Sequence, residues 1–360
     1  MNEEQFDRGN DPDHVISATE MQDVTDVLYS SDWWEGESPS NLEGLQYATN
    51  LRTLAAYEIE RLPDLSELPN LEWVHLEVSD GWEGFPTPVG VFPRLQTLEI
   101  GGEALRQLPD ELFAGGALSI LEIFDAMNFK MIPSSLTINE SLVTLHLDET
   151  GIEVLPDFIG DISSLELLFL VDNPHLGALP DVFDGLPNLR SLLLWNNDSL
   201  VALPPSIGEA TALTAIEIYG ASFETVPESI GNLQYLQEFL ISSPVLTPLP
   251  ASINGLRSLW LLDITGPESF SLPAALSGMH SLEDLYLRDT GLTSVPEGIS
   301  TLPALENLDV ARNKLTVLPE FLVEMAAREV GALKHINAFD NPLDFTDPVV
   351  ITLSESILHF

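Results

Sequence analysis

A column of prolines recurs through this chain with a period that few folds can absorb. Pro63, Pro86, Pro109, Pro133, Pro156, Pro180, Pro204, Pro227, Pro250, Pro273, Pro296 and Pro319 stand 23 or 24 residues apart, each preceded by an aliphatic or aromatic residue. Leucines keep step with them at Leu51, Leu71, Leu95, Leu118, Leu142, Leu165, Leu189, Leu213, Leu236, Leu259, Leu282, Leu305 and Leu333. A unit this short cannot bury its own apolar side chains. Only a stack of units gives each one a neighbour on both sides, so the period predicts a solenoid in which every repeat contacts the next.

One copy, Leu189 to Ala212, LRSLLLWNNDSLVALPPSIGEATA, shows how the unit works. Leu192 and Leu194 are two apart and share one face of a short strand, while Leu193 and Trp195 face the other way. Stacked copies make a parallel sheet. Leu200 and Leu203 turn the chain inward, Pro204 starts a return segment with its fixed φ and missing N–H, and Ile207 closes the return side onto the core.

The pattern LxxLxLxxNxLxxLPxxIxxL resembles the leucine-rich-repeat family across roughly Leu51 to Leu343, and the return segments LPPSIGEATA and VPESIGNLQY resemble its intracellular, Ras-associated class. The resemblance implies an α/β solenoid: a right-handed curved array with a parallel sheet on the concave face and short helices or 3-10 turns on the convex face. In the family an asparagine after the strand bonds carbonyls of adjacent turns. Asn173, Asn197, Asn313 and Asn341 match it, whereas Ala126, Thr150, Ala221, Pro244, Pro267 and Thr290 interrupt the series. Irregularity of the sheet rim is expected there, above all at the two prolines.

Four regions are expected: an acidic tail over residues 1–14, a helical N-terminal cap over 15–50, twelve repeats and a partial one over 51–343, and a C-terminal cap over 344–360. Ile16, Met21, Val24 and Leu28 recur at helical spacing, with Ser17 and Glu20 as a capping box. Trp33 and Trp34 follow in a loop expected to plug the open core. Gly44, Leu45, Tyr47, Ala48, Asn50 and Leu51 resemble the segment that enters the first strand in bacterial members of the family. Near the other end, PEFLVEMAAREVGALKHI predicts a longer convex helix, and the Val/Ile/Thr-rich VVITL piece predicts an edge strand or cap.

Charge narrows the partners. Asp and Glu number 57 against 13 Lys and Arg, a formal net charge of −44. Such a surface disfavours nucleic acid and anionic membranes. It fits either adaptation to salt or a partner carrying positive charge. Cysteine is absent, which excludes disulfides and thiolate chemistry. No apolar run approaches the ~20 residues that span a bilayer. The N-terminal MNEEQFDRGNDPDH lacks the pattern of a secretory leader, so a cytoplasmic protein is expected if Met1 is the native start, and a secreted or surface protein otherwise.

Aligning the repeats maps the concave face. Phe124, Phe169, Leu193, Trp195, Tyr219 and Leu240 fall into one apolar and aromatic area, with Trp260 and Tyr286 farther along, and these form the candidate partner-binding site. A leucine core already lies behind them, so they are free to serve recognition; mutual packing across strands is the competing explanation. An acidic rim is expected from Glu99, Glu122, Asp125, Asp148, Glu149 and Asp172, with Asp125, Glu149 and Asp172 in one row. His75 and His146 lie three repeats apart, too far for one metal or one proton relay. No catalytic residue, metal site or cofactor is expected. The function expected is a monomeric, non-catalytic module that binds a protein, a partner with a basic surface being one that its charge fits. The alternatives are a salt-adapted structural or adhesive protein and a targeting arm for a separate catalytic chain.

Overall fold

The computed structural model describes residues 21–28, 42–87, 89–220, 222–267 and 270–359. Among these residues fifteen strands form one sheet in unbroken sequence order. They are β1 Asp26–Leu28, β2 Thr53–Ile59, β3 Trp73–Val78, β4 Thr97–Gly101, β5 Ile120–Phe124, β6 Thr144–Asp148, β7 Leu167–Val171, β8 Ser191–Trp195, β9 Ala215–Tyr219, β10 Glu238–Ser242, β11 Leu261–Thr265, β12 Asp284–Arg288, β13 Asn307–Asp309, β14 His335–Asn337 and β15 Leu358–His359. Every pairing is parallel and between sequence neighbours; β7, β8 and β9, for example, align Val171, Trp195 and Tyr219 in one row. The sheet forms one face of a solenoid, and short 3-10 helices return the chain behind it.

Burial alternates along each strand as the leucine pattern requires: in β8, Leu192 and Leu194 are fully buried while Leu193 and Trp195 are not. Leu200 and Ile207 complete the same layer from the turn and return sides. Pro204 differs slightly from expectation. It stands one residue before the 3-10 helix Pro205–Glu209 with ψ 153°, extended rather than helical, and its counterparts Pro109, Pro133, Pro156, Pro227, Pro250 and Pro296 do the same. The fixed φ of proline ends the extended stretch; the next residue begins the helix. On the return side the backbones nearly touch. A Cβ at Gly208 or Gly231 would collide with the carbonyl of Ser229 or Ser252 in the next repeat, so both positions need glycine.

The asparagines bond as the resemblance implies. Asn197 Nδ2 donates to the carbonyls of Leu170 (2.8 Å) and Trp195 (3.1 Å), and Asn173 Nδ2 to those of Leu147 (3.0 Å) and Val171 (2.8 Å). Asn313 and Asn341 repeat the arrangement on Leu287 and Val310. The strands that lead into Pro244 and Pro267 keep their register: β10, β11 and β12 pair residue for residue. Ser243, fully buried, takes over part of the role by donating to the Phe223 carbonyl at 2.8 Å. Among the described residues the one register shift is earlier, between β2 and β3 at Ala56/Ile59. Ala221 lies outside the described residues.

Both ends depart from expectation. Ile16, Ser17, Glu20, Trp33 and Trp34 lie outside the described residues, but Leu28 does not share a helix with Met21. It ends β1, which pairs in parallel with β2, and its side chain is exposed. Pairing β1 to β2 satisfies backbone groups that an open sheet edge leaves free. At the other end, PEFLVEMAAREVGALKHI is helical only over α1, Phe321–Ala326. The VVITL piece is not a strand: α2 covers Pro348–Ser354, and the edge strand is β15 beyond it. Asp347 decides this, because its Oδ1 accepts from the N–H groups of Val349 and Val350 and Pro348 occupies the first helical position.

Replacing Asn197 with alanine removes the side-chain donor that the Leu170 and Trp195 carbonyls share. We expect a loss of ~1–3 kcal/mol, read as a lower midpoint in urea, with β7 and β8 losing hydrogen-exchange protection first. An unchanged midpoint would contradict the structural role of the ladder.

Candidate functional site

The concave face consists of three side-chain columns, set by the outward positions of each five-residue strand. Because the register is constant from β3 onward, columns in the sequence become rows of neighbours in space, with strands about 4.8 Å apart. The middle strands differ from the rest. In β7 all three outward residues, Leu167, Phe169 and Val171, are apolar; β8 adds Leu193 and Trp195, β9 adds Tyr219 and β10 adds Leu240. Trp195 and Tyr219 meet edge to face, centroids 5.9 Å apart, and Trp195 is 37% exposed. The candidates Phe169, Leu193, Trp195, Tyr219 and Leu240 are thus brought together. Leu167 and Val171 belong with them; in a leucine-rich unit such aliphatic residues do not stand out from the core positions.

Phe124 belongs elsewhere. Its ring stacks on the imidazole of His75 at 5.3 Å, two strands away. Gly101 on the intervening strand makes this possible, since a Cβ there would collide with the Phe124 ring. His75 is the centre of a second cluster. It also packs against Tyr57 (5.1 Å) and Trp73 (6.0 Å), while its Nδ1 lies 2.9 Å from Glu99 Oε2 and the Trp73 indole N–H donates to Glu99 Oε1 at 3.0 Å. Trp260 is likewise apart from the patch. It precedes β11 in the column of Arg190, Thr214 and Gln237, at the opposite ends of the strands from Trp195. Tyr286, on β12, lies under the guanidinium of Arg288, 5.2 Å from its ring centre, and Arg288 Nη2 donates to Asp263 at 2.6 Å.

The acidic candidates divide in two. Glu99 and Glu122 are half-buried in the middle column and face His75 and His146 respectively, the latter at 3.4 Å, with His146 edge-on to Phe169 at 5.8 Å. They are inner-face partners of histidines rather than rim residues. Asp125, Glu149 and Asp172 do form the row expected of them, and the backbone explains it: φ is 49°, 49° and 51°, and the row continues through Asn196 (54°) and Asp289 (55°). This left-handed corner at the strand end favours Asp, Asn and Gly, whose small or locally bonding side chains tolerate it. Asn196 donates to Asp172 at 2.8 Å. Crowding has electrostatic effects. Asp125 is the main cause that raises the Glu149 carboxyl, and burial raises Asp148, whose Oδ1 has no hydrogen-bond partner. Among the described residues no three side chains converge as a metal site.

Tyr219 carries the largest perturbation of the patch. Burial, with Glu217 and Asp263 nearby, pushes its phenol up to about 12. Glu217 accepts from the Trp195 side chain, yet burial and Glu238 raise its carboxyl above the ordinary value. The patch is thus apolar at β7 and β8 and carries carboxylates at its β9–β10 side.

No protein-family model matches the sequence, and comparison with curated proteins finds no match. Solved structures do match in fold. A leucine-rich-repeat protein of Leptospira interrogans is 20% identical with a TM-score of 0.63, over 95% of this chain and 97% of that one. An internalin of Listeria monocytogenes is 16% identical with a TM-score of 0.64, over 96% and 90%. The Arabidopsis receptor kinase HAESA, solved in complex with the peptide hormone IDA and the co-receptor SERK1, is 24% identical with a TM-score of 0.60, over 89% of this chain and 55% of that one. The chain therefore has the leucine-rich-repeat fold. No helix among the described residues is long and apolar enough to cross a membrane.

Two outcomes test this geometry. Gly101→Ala must displace the Phe124 ring from His75, at a cost on the order of 1–3 kcal/mol from overpacking; a thermal midpoint equal to that of the parent would show that the ring is not held there. Tyrosinate absorbance should reveal a phenol ionising near pH 12, and Tyr219→Phe should remove that step. The folded state holds this proton more tightly than the unfolded chain, so its contribution to stability is complete below the ordinary tyrosine value and is lost as pH rises toward 12.

Proposed function

We propose that the protein is a recognition module that binds a protein partner through the concave patch Leu167, Phe169, Val171, Leu193, Trp195, Tyr219 and Leu240. The observation that carries this reading is the outward face of β7. A parallel strand covered on both sides reads as a continuous apolar run, whereas one with a wet face alternates. LLFLV is such a run, while β6 (TLHLD) and β11 (LLDIT) place His146, Asp148, Asp263 or Thr265 outward. The leucine core accounts for Leu168 and Leu170 only. A second protein surface accounts for the rest, and Trp195 beside Tyr219 is the kind of rigid aromatic anchor that concentrates binding energy at interfaces.

Charge and fold support a protein partner. A net charge of −44 opposes binding to polyphosphate backbones. HAESA, a fold neighbour, is a receptor whose structure holds a peptide hormone. The acidic row along Asp125, Glu149 and Asp172 favours the approach of basic surfaces, and its steering weakens with salt. Phe124 and Trp260 are left out of the interface.

Trp195→Ala and Phe169→Ala, tested by quantitative capture from extracts of the source organism, should each weaken retention of the partner about tenfold or more, with thermal midpoints within about 2 °C of the parent. Tyr235→Ala, an exposed aromatic outside the strands, should leave capture intact. Equal capture by all three variants, or loss with Tyr235→Ala as well, overturns the assignment of the surface.

A further inference from the structure

Resting on the reading of the concave patch just given, we propose that its β9–β10 side is a subsite for an arginine side chain of the partner, stacked on Trp195 or Tyr219 and held by Glu217 and Glu238. The argument begins with an arrangement that the protein already contains. On β11 and β12, Asp263, Tyr286 and Arg288 form a closed set in which the guanidinium lies 5.2 Å over the tyrosine ring and donates to the carboxylate at 2.6 Å. Two strands earlier the same parts recur with one exchange. Trp195 and Tyr219 supply ring faces, edge to face at 5.9 Å. Glu217 sits on β9 in one row with Leu193 and Leu240, directly between them, and Glu238 stands on the next strand opposite Ala215.

What distinguishes the two is the cation. Among the described residues no Arg, Lys or His forms an ion pair with Glu217 or Glu238. Glu217 bonds instead to the Trp195 side chain, which leaves it further acceptor capacity. A half-buried carboxylate beside a second one is costly unless a cation joins it. In the same column of this face three carboxylates face a basic side chain: Glu99 faces His75, Glu122 faces His146 and Asp263 faces Arg288. Arginine fits better than lysine. Its planar guanidinium stacks on an aromatic ring and forks onto carboxylate oxygens, whereas an ammonium is a strongly hydrated point charge. The patch thus reads an apolar anchor over β7–β8 followed, about two strand spacings or ~10 Å on, by an arginine.

A random peptide library displayed on phage, panned on the full chain with the Trp195→Ala variant as counter-selection, tests this. Peptides that require Trp195 should be enriched in arginine next to an aliphatic or aromatic residue. A synthetic copy of a selected peptide should bind Glu217→Gln about tenfold more weakly than the parent, and replacing its arginine with citrulline should weaken binding to the parent similarly while leaving binding to Glu217→Gln unchanged. Trp195-dependent peptides without arginine enrichment, or equal affinity for Glu217→Gln, overturn the subsite but leave the apolar interface standing. Enrichment of lysine and arginine alike overturns the guanidinium preference. Recovery of no Trp195-dependent peptide overturns both the subsite and the interface on which it rests.

Discussion

Constant parallel register between successive strands is the constraint on which everything else in this protein depends. Leu192 packs behind Leu168 and Ile216 because β7, β8 and β9 pair residue for residue, and the same pairing sets Val171, Trp195 and Tyr219 side by side on the other face. A slip of one residue would turn every leucine toward water and every carboxylate toward the core. The buried leucines therefore hold the surface in place, and they do so locally, since each strand bonds only to its neighbours. The asparagine bonds and the tight return at Gly208 and Gly231 reinforce the same spacing from the two sides of the strand.

That constraint also gives the acidity two separate causes. At Asp125, Asp172, Asn196 and Asp289 the chain turns out of the strand through a left-handed corner, and short polar side chains are favoured there whatever the protein binds. Glu149 shares the corner without that advantage and pays in repulsion from Asp125. Glu217 and Glu238 have no such backbone reason, for they stand on strands, where Glu is a poor choice. Carboxylates on the strands consequently say more about recognition than those at the corners, although the corners make the more visible row in the sequence.

The architecture was legible in the sequence because a strict period leaves little choice: leucine spacing determines the strands, and the proline column determines where the returns begin. The surface was legible only as far as each residue stays within its own column. Phe124 does not, because Gly101 beside it leaves room for its ring to fold back to His75; that depends on a pair of residues 23 positions apart rather than on either alone. The pairings of His75 with Glu99 and His146 with Glu122 were hidden for a similar reason. The spacing of the two histidines along the chain says nothing of these pairings, because each is joined to a glutamate on an adjacent strand. At the ends the period stops, and local chemistry takes over: Asp347 and Pro348 make a helix of residues whose β-branching suggests a strand.

The apolar area could still be explained by strand pairing alone, since aromatic and branched side chains stabilise neighbouring strands. The distribution of the aromatics weighs against that account. Where rings serve the sheet they are packed down: Phe124 covers Gly101, and Tyr57, Trp73 and His75 close around one another with Glu99. Trp195 is different, remaining over a third exposed although Tyr219 lies within reach, with Leu193 and Val171 on the adjoining positions. A tryptophan placed only to hold strands together would gain more by lying flat on them. Its exposed position, beside a strand that is apolar on both faces and a glutamate without a cation, is the arrangement expected of a surface completed by a second molecule.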